Sequence, residues 1–279
     1  MTSPTSPTSP ASPTGPSSRA VAPVLPQDFT GRTVVVTGAG SGIGRATALA
    51  FAARGAGVVV ADLDAKAAAE TAAFIEANGG AAVTVVGDLG EQDVVDRVVA
   101  TALDSFHGGT LDVLVNNAGI MDSMSAVADV TDTEWERLLR INLTAPFLLT
   151  RAALPHMLDA GRGAIVFTAS EAGLRGSAAG AAYTAAKHGI VGLTKSLAVT
   201  YRDRGIRANA VAPGGTLTNI RVDLDPAADG PRALGAYMGN VGQPAAADTQ
   251  ADAIVFLASD AARNINGVVL PVDGGWSAV

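Results

Sequence analysis

The sequence predicts a single doubly wound α/β domain, and three observations support this prediction. From Asp28 onwards, short β-branched or apolar runs alternate with alanine-rich segments of helical length. The short runs are apolar throughout, which is typical of strands in a parallel sheet that helices cover on both faces. A glycine-rich turn joins the first run to the first helical segment. Crossover connections in such a sheet are nearly always right-handed.

The predicted elements follow one another without a linker, so residues 28–279 are predicted to form one domain. Strands are predicted at residues 33–37, 57–61, 82–86, 112–115, 164–169, 207–211 and 268–271. Helices are predicted at residues 42–54, 65–78, 133–158 and 181–201, and further helices fill the other gaps. The chain has 279 residues and is 48% hydrophobic, which is enough for a large core.

The composition argues against several classes of partner. The formal net charge of −7 argues against nucleic acid or an anionic membrane as the main partner. The chain has no cysteine, so it can form neither a disulfide framework nor a thiolate metal site. The three histidines, His107, His156 and His188, show no metal-ligand spacing, and we expect no metal. No apolar run reaches the length of a membrane span.

The N-terminal segment differs from the rest of the chain. Residues 1–27 repeat Thr-Ser-Pro and contain too few apolar side chains to offset the entropy of ordering. The sequence therefore predicts a disordered tail over these residues. The tail lacks the apolar central region of a signal peptide, and we expect a cytoplasmic protein.

The first strand-to-helix junction is typical of a dinucleotide site. It reads Thr37-Gly38-Ala39-Gly40-Ser41-Gly42-Ile43-Gly44. Glycines let the backbone approach a pyrophosphate, which the start of the following helix attracts. The alternative is an ordinary turn, but its place between a strand and a helix is the one that dinucleotide binding requires.

Asp62 ends the second predicted strand, 24 positions after Gly38. A carboxylate there can accept hydrogen bonds from both adenosine ribose hydroxyls and would repel a 2′-phosphate. Neither Ser41 nor Leu63 supplies a cation for that phosphate, so the sequence favours NAD over NADP. The alternative for Asp62 is a solvated strand end or a helix cap.

Tyr183 and Lys187 are four residues apart in a predicted helix, so their side chains share one face. A lysine charge about 4 Å from a phenol contributes roughly 4 kcal/mol at an effective dielectric of about 20, which would lower the tyrosine pKa by about three units. The phenol would then suit proton transfer to and from an alcohol near neutral pH. By itself, the spacing is a poor signal and is more typical of an ordinary amphipathic helix face.

Several further motifs accompany Tyr183 and Lys187 in the sequence. The chain contains Thr37-Gly38-x-x-x-Gly42-x-Gly44, Asn116-Asn117-Ala118-Gly119, Asn142, Ser170, Tyr183-x-x-x-Lys187 and Pro213-Gly214, in that order. In order and spacing they resemble the short-chain dehydrogenase/reductase family, over nearly everything from Gly31 to the C-terminus. The resemblance implies a Rossmann-type single domain with a seven-stranded parallel sheet. It also implies a homotetramer, with Trp276 either at a subunit contact or over the chain's own core.

The resemblance implies a role for each catalytic residue. Tyr183 would exchange a proton with the substrate oxygen, and Ser170 would orient that oxygen. Lys187 would lower the pKa of Tyr183 and bind the nicotinamide ribose, and Asn142 would help to hold a water that connects Lys187 to solvent. The implied NAD-binding residues are Gly38, Ser41, Gly42, Ile43, Gly44, Asp62, Leu63, Asp88, Leu89, Asn116, Ala118, Gly119, Tyr183, Lys187, Pro213, Gly214, Thr216 and Thr218. The family often has a branched apolar residue where Thr216 stands.

Pro146 bears on Asn142 independently of the resemblance. Proline has no N–H, so the carbonyl of residue 142 loses its usual partner in an α-helix. We expect the predicted helix to bend there and the carbonyl to accept a hydrogen bond from the relay water. The alternative is a proline that only kinks the helix around the core.

The implied reaction is hydride transfer between NAD(H) and a secondary alcohol or ketone, with a small molecule as the substrate. Met121 and Met124 follow the Asn-Asn-Ala-Gly turn, and residues 217–242 would form a lid of mixed charge. We expect an uncharged, fairly apolar substrate. Two alternatives are an NADPH-dependent 3-oxoacyl-thioester reductase, against which Asp62 argues, and a non-catalytic dinucleotide-binding protein.

Overall fold

Seven parallel strands form the centre of the computed structural model, which describes residues 28–106, 108–220 and 222–278. The predicted tail at residues 1–27 lies outside the described residues. The strands are β1 Thr33–Thr37, β2 Gly57–Asp62, β3 Ala81–Val86, β4 Val113–Asn116, β5 Gly163–Thr168, β6 Ile206–Pro213 and β7 Val269–Val272. They pair in parallel in the order β3-β2-β1-β4-β5-β6-β7. The predicted α/β fold is therefore confirmed, with strand ends within one or two residues of the prediction.

Helices cover both faces of this sheet. They are α1 Gly42–Ala52, α2 Ala65–Ala77, α3 Gln92–Ser105, α4 Asp132–Leu139, α5 Ala145–Asp159, α6 Ala181–Tyr201, α7 Asp229–Gly235 and α8 Ala247–Ala258. Helices α3, α5 and α6 share one core with alternate strand residues such as Val35, while α1, α2 and α8 share the other with residues such as Val34. Strands buried on both faces explain why their sequences are apolar throughout. No helix within the described ranges is long and apolar enough to cross a membrane.

The long helix predicted over residues 133–158 is interrupted. A π-helical turn, Arg140–Thr144, separates α4 from α5, and within it the N–H of Ala145 donates to the carbonyl of Arg140. Pro146 follows at the start of α5, where its missing N–H is best tolerated. Asn142 lies inside this turn and is buried. The irregularity that Pro146 predicted thus takes the form of a π turn, a common form at functional sites.

The strand order reverses between β1 and β4. From β1 the sheet continues to β2 and β3, whereas from β4 it continues to β5, β6 and β7. The two strands pair with Val35 opposite Leu114, so that both end at the same edge of the sheet. Ligands of open α/β sheets bind outside the carboxyl ends of the strands at such a reversal. The expected site is therefore next to Thr37 and Asn116.

Arg207 of β6 holds the end of α8 against the sheet. Its guanidinium donates to the carbonyl oxygens of Leu257 at 2.7 Å and Ala258 at 3.0 Å. We expect Arg207→Met, which keeps the apolar stem, to lower the free energy of unfolding by about 2 to 3 kcal/mol, because these carbonyls lose a charged donor. Urea denaturation measures this change. Arg202→Met, at an exposed arginine, is the control, and an equal loss in both variants would contradict the prediction.

Candidate active site

A cavity of about 540 Å³ opens at the carboxyl edge of the sheet, within the size range of small-molecule sites. Most of the residues predicted for the site line it. They are Gly38, Ser41, Gly42, Ile43, Asp62, Leu63, Asp88, Leu89, Ala118, Gly119, Ser170, Tyr183, Lys187, Pro213, Gly214, Thr216 and Thr218. Segments from across the chain thus meet at the reversal between β1 and β4.

Three predicted residues, Gly44, Asn116 and Asn142, do not line the cavity. Gly44 packs behind the glycine turn, because a Cβ there would collide with the carbonyl oxygen of Gly38. The buried side chain of Asn116 faces the core, where its Nδ2 donates to Thr150 Oγ1 at 3.0 Å. These positions support the wall of the cavity from behind.

Asn142 lies one layer behind the cavity. Its Oδ1 accepts from the N–H of Ile120 at 3.1 Å, and its Nδ2 donates to the carbonyls of Ile120 at 3.0 Å and Leu138 at 3.1 Å. A Cβ on Gly119 would come within 2.7 Å of Asn142 Oδ1 and 3.6 Å of Lys187 Nζ. Asn142 therefore anchors the turn that passes beside Lys187, and the relay water stays a prediction.

Asn117 is a cavity residue that the sequence reasoning did not assign. Its Nδ2 donates to the carbonyl of Thr37 at 3.0 Å, and its Oδ1 accepts from Thr168 Oγ1 at 3.2 Å. It thereby ties the end of β1 to the end of β5 across the turn that follows β4. The sequence did contain a signal for this residue, namely the two consecutive asparagines. Neighbouring side chains at a strand end point in opposite directions, so only one of Asn116 and Asn117 can face the cavity.

The glycine turn has the features of an anion site. Gly38 and Gly42 have φ angles of +63° and +51°, which L side chains rarely adopt. Ser41 is the N-cap of α1, but its side chain makes no capping hydrogen bond, and the first turn has no acidic residue. The free N–H groups and the positive end of the helix dipole therefore lie at the cavity wall. This arrangement fits a pyrophosphate.

Asp62 is held rigidly beside this turn. Its Oδ2 accepts from the N–H of Gly40 at 2.7 Å, and its Oδ1 accepts from the N–H of Asp64 at 2.9 Å. A Cβ on Gly40 would come within 2.9 Å of Asp62 Oδ2, so a larger residue would displace the carboxylate. Lys187 is the one cation among the described residues that line the cavity. The negative charge of Asp62 therefore faces the cavity, and no cation among the described lining residues stands beside it.

Asp88 forms an ion pair with Arg140 of the π turn. The distance from Arg140 Nη2 to Asp88 Oδ2 is 2.7 Å, and the N–H of Gly90 donates to Asp88 Oδ1 at 2.8 Å. The hydrogen bond from Arg140 holds the pKa of Asp88 below its usual value. The pair links the loop after β3 to the element that carries Asn142.

Ser170, Tyr183 and Lys187 meet at the opposite wall of the cavity. Tyr183 and Lys187 are both buried, and Lys187 Nζ lies 5.3 Å from the centre of the Tyr183 ring. Lys187 Nζ donates to the carbonyl of Thr168 at 2.8 Å. The Ser170 hydroxyl lies near the Tyr183 phenol and acts to lower its pKa. A phenol, a hydroxyl and an ammonium group are therefore within reach of one bound substrate.

The predicted fall in the pKa of Tyr183 is wrong for this structure. Burial raises the pKa of Tyr183 to about 12, against the effect of the Ser170 hydroxyl, and the charge of Asp122 adds to the rise. Burial also lowers the pKa of Lys187 to about 8. The prediction from helix spacing did not include the cost of removing both groups from water. It also placed the ammonium at the phenol, whereas Lys187 donates to Thr168.

The loop after β6 completes the cavity. Thr216 Oγ1 donates to the carbonyl of Gly214 at 3.1 Å, and Thr216 forms an isolated parallel bridge with Ala245. A Cβ on Gly42 would lie 3.2 Å from the side chain of Thr218, so this loop reaches the glycine turn. The hydroxyl of Thr216 is thus used locally, where the family often has an apolar residue.

The remaining wall is mostly apolar. It is formed by Ile120, Met121, Met124, Ile141, Ala145, Ala178, Ile220, Val222, Met238, Val241 and Trp276. The charged lid residues Asp223, Asp225, Asp229 and Arg232 do not line the cavity, and Arg221 lies outside the described residues. No group of three or more His, Cys, Asp or Glu that could hold a metal ion occurs in the part of the chain that the structure describes.

Glu171 is a second residue that the sequence reasoning missed. It follows Ser170 directly, is fully buried, and its Oε2 lies 3.1 Å from Arg175 Nε. Burial raises the pKa of Glu171 to about 7, and the neighbouring carboxyl of Asp273 adds to the rise. Arg175 also donates from Nη1 to the carbonyl of Trp276 at 3.1 Å. Trp276 is buried and lines the cavity, and nothing in the sequence indicated its link to Glu171 through Arg175.

Comparisons with known proteins agree with this geometry. The family model described as short chain dehydrogenase matches residues 32–229. The chain is 41% identical over 251 residues to 3beta-hydroxysteroid dehydrogenase 2 of Eggerthella lenta, covering 89% of this chain and 95% of that protein. It is 44% identical over 251 residues to cis-4-hydroxycyclohexanecarboxylate dehydrogenase of Sinomonas cyclohexanicum, covering 90% and 98%.

A solved structure shows the same fold. It is that of a putative NAD(P) dependent gluconate 5-dehydrogenase from Beutenbergia cavernae with bound NADP at low occupancy. Its TM-score is 0.78 at 39% sequence identity, and the match covers 91% of this chain and 100% of that chain.

Glu171 predicts a pH-dependent contribution to stability. Because its pKa rises from 4.5 to about 7 on folding, the folded chain holds this proton more tightly than the unfolded chain. The contribution of this proton to the free energy of unfolding is fully present below pH 4.5 and is lost as the pH rises through about 7. We expect Glu171→Gln to remove this decline from the free energy of unfolding, measured by urea denaturation across that range. Glu76→Gln, at an exposed glutamate, should retain the wild-type slope, and a Glu171→Gln slope equal to it would refute the assignment.

Proposed function

The chain belongs to the short-chain dehydrogenase/reductase family, and from this premise we propose that it is an NAD-dependent oxidoreductase that interconverts a secondary alcohol and its ketone. One observation carries the proposal. Ser170, Tyr183 and Lys187 lie together on the wall of the cavity that the glycine turn and Asp62 enter from the other side. One cavity therefore contains both a proton-transfer group and a surface that fits a dinucleotide.

The residues present fit a nicotinamide dinucleotide. The uncapped start of α1, with Gly38 and Gly42 in the left-handed region, suits the pyrophosphate. Asp62 would bind the adenosine ribose, Asp88 and Leu89 would meet the adenine, and Lys187 would bind the nicotinamide ribose. Pro213, Gly214, Thr216 and Thr218 would hold the nicotinamide end. When bound, the cofactor supplies or accepts a hydride.

The protein's own groups would handle the proton. With a pKa of about 12, the Tyr183 phenol keeps its proton at neutral pH and is ready to donate it to a ketone oxygen. The Ser170 hydroxyl would hold the same oxygen and stabilise the charge that develops on it. In the direction of alcohol oxidation, Tyr183 must act as the phenolate. The Lys187 ammonium, mostly charged below its pKa of about 8, is the lining cation that would stabilise that form.

The substrate class follows from the remaining wall. Met121, Met124 and Trp276 leave this part of the cavity apolar and without a charged partner for a substrate. The names of the two relatives describe alcohols on saturated rings. These observations support an uncharged, apolar secondary alcohol or ketone, and cyclic alcohols are the first compounds to assay. A free carboxylate on such a substrate would have to extend towards solvent.

A second candidate is an NADPH-dependent 3-oxoacyl-thioester reductase. The bound NADP in the solved relative keeps this candidate open. Asp62 argues against it, because the carboxylate would repel a 2′-phosphate. A non-catalytic role would leave the meeting of Ser170, Tyr183 and Lys187 without a purpose. We also propose a homotetramer and a cytoplasmic location; light scattering after size exclusion measures the first and cell fractionation the second.

The role of Tyr183 is tested by removing one oxygen. We expect Tyr183→Phe to lower kcat for alcohol oxidation by at least about a hundredfold, because the general acid/base is lost. The affinity for NAD, measured by fluorescence titration, should stay nearly unchanged. Tyr201→Phe, at the other end of α6, is the matched control and should keep wild-type turnover. Near-normal turnover by Tyr183→Phe would mean that another group moves the proton.

The cofactor preference is tested at Asp62. We expect wild-type protein to bind NAD at least about tenfold more tightly than NADP, since a half-buried, hydrogen-bonded carboxylate rejects the added phosphate. Asp62→Ala with Leu63→Arg should reverse this order by removing the repulsion and adding a cation. Asp129→Ala, at an exposed aspartate, should leave the order unchanged. Tighter binding of NADP by the wild type would favour the second candidate.

A further inference from the structure

Helix α6, which carries Tyr183 and Lys187, has no cap of its own. Its N-cap residue is Gly180, which has no side chain to accept a hydrogen bond. The segment 122–125, here called the cap loop, supplies the acceptors instead. Asp122 Oδ1 accepts from the N–H of Gly180 at 3.2 Å, and Asp122 Oδ2 accepts from the N–H of Tyr183 at 3.2 Å. The N–H of Ala181 donates to the carbonyl of Ser125 at 3.1 Å.

Asp122 is suited to this task because its carboxyl group is removed from water. The residue is 4% exposed, although it lies about 60 positions before the helix that it caps. A carboxylate at a helix N-terminus pairs with free N–H groups and with the positive end of the dipole. Burial raises the pKa of Asp122, and the N–H donors of Met124, Tyr183 and Gly180 oppose this rise.

The cap loop is also part of the cavity wall. Met124 lines the cavity and has a φ angle of +57°, which is uncommon for a residue other than glycine. Its N–H donates to Asp122 Oδ1 at 3.0 Å, so the same carboxylate holds both the strained residue and the first turn of α6. On the far side of the loop, the N–H of Ser123 donates to Glu134 Oε1 at 3.3 Å. The loop is therefore held between α4 and α6.

Close packing leaves the cap loop little freedom. A Cβ on Gly180 would lie 2.6 Å from Asp122 Oδ2 and 2.7 Å from the carbonyl carbon of Met124. A Cβ on Gly230, in α7 of the lid, would collide with the carbonyl oxygen of Met124. The lid, the methionine wall (the part of the cavity wall formed by Met121 and Met124) and the start of α6 thus meet around the Asp122 carboxylate.

We propose that Asp122 is a positioning residue of this site, which fixes the first turn of α6 and thereby holds the Tyr183 phenol in register with the methionine wall. The inference rests on the proposed function, in which Tyr183 moves the proton. The charged groups around Tyr183 are Asp122 in the cap loop and Lys187 on α6, and Glu134 of α4 faces Asp122. The Asp122 charge raises the pKa of Tyr183, so its removal should ease formation of the phenolate.

Two variants separate position from charge. Asp122→Asn removes the charge and turns an acceptor into a donor that faces the helix N–H groups. Gly180→Ala keeps the charge of this carboxylate, and the φ of −72° at Gly180 suits alanine. Its new Cβ displaces both the carboxylate and the adjoining backbone of Met124 and Ser125. We expect both variants to lower kcat for alcohol oxidation by about tenfold, because a small displacement of a catalytic group is costly. Asp122→Asn should also move the acid limb of the kcat pH profile to lower pH by about half a unit, and Gly180→Ala should not.

The matched control is Asp64→Asn. Asp64 caps α2 by accepting from the N–H groups of Lys66 and Ala67, so this variant loses the same kind of cap away from Tyr183. It should keep the wild-type kcat and acid limb. An unchanged kcat in Gly180→Ala, or an equal fall in Asp64→Asn, would overturn the proposal. Should either variant fail to fold, the kcat of the other decides.

A second measurement does not depend on turnover. The chain has three tyrosines, so the ultraviolet difference between a protein and its Tyr183→Phe derivative isolates the Tyr183 phenolate. We expect this phenolate to form at lower pH in Asp122→Asn than in wild type. If no alcohol is oxidised by the wild type, the proposed function fails, but this titration still tests the contact between Asp122 and Tyr183. An unshifted titration would refute that contact.

Discussion

The pairing of β1 with β4 is the interaction on which the rest of the site depends. It brings two strand ends, at Thr37 and Asn116, to one edge of the sheet although about 80 residues separate them. Asn117 locks this edge by bonding to Thr37 on one side and Thr168 on the other. The glycine turn and the proton-transfer residues lie on opposite sides of that lock. Their separation is therefore set by the sheet itself rather than by mobile side chains.

Burial has opposite consequences for the two principal residues of the site. It raises the pKa of the Tyr183 phenol and lowers that of the Lys187 ammonium, because both charged forms lose water. Asp122 is buried as well, so solvent does not screen its negative charge. This charge therefore acts strongly on the Tyr183 phenol. The chemistry of the site therefore depends on which charges face the cavity as much as on which residues are present.

The segment after β4 connects these effects to the substrate wall. Within a few residues it supplies the lock at Asn117, the turn at Gly119 beside Lys187, and the cap loop around Asp122. The π turn supports it from behind, where Asn142 bonds to both backbone groups of Ile120. A change in the methionine wall would therefore alter the position of the first turn of α6. One short segment links recognition of the substrate to placement of the acid/base residue.

The sequence by itself determined the sheet, the family, the glycine turn and the residues meant for chemistry, because periodicity and turn chemistry are local. The carboxylate of Asp62 and the four-residue spacing of Tyr183 and Lys187 are among the features that the sequence alone determined. Only the tertiary structure decided that Asn116 faces the core and Asn117 the cavity, since one residue of register separates them. It also decided the direction of the Tyr183 pKa and the capping role of Asp122. Both depend on burial and on contacts across about 60 residues of chain, which no local pattern records.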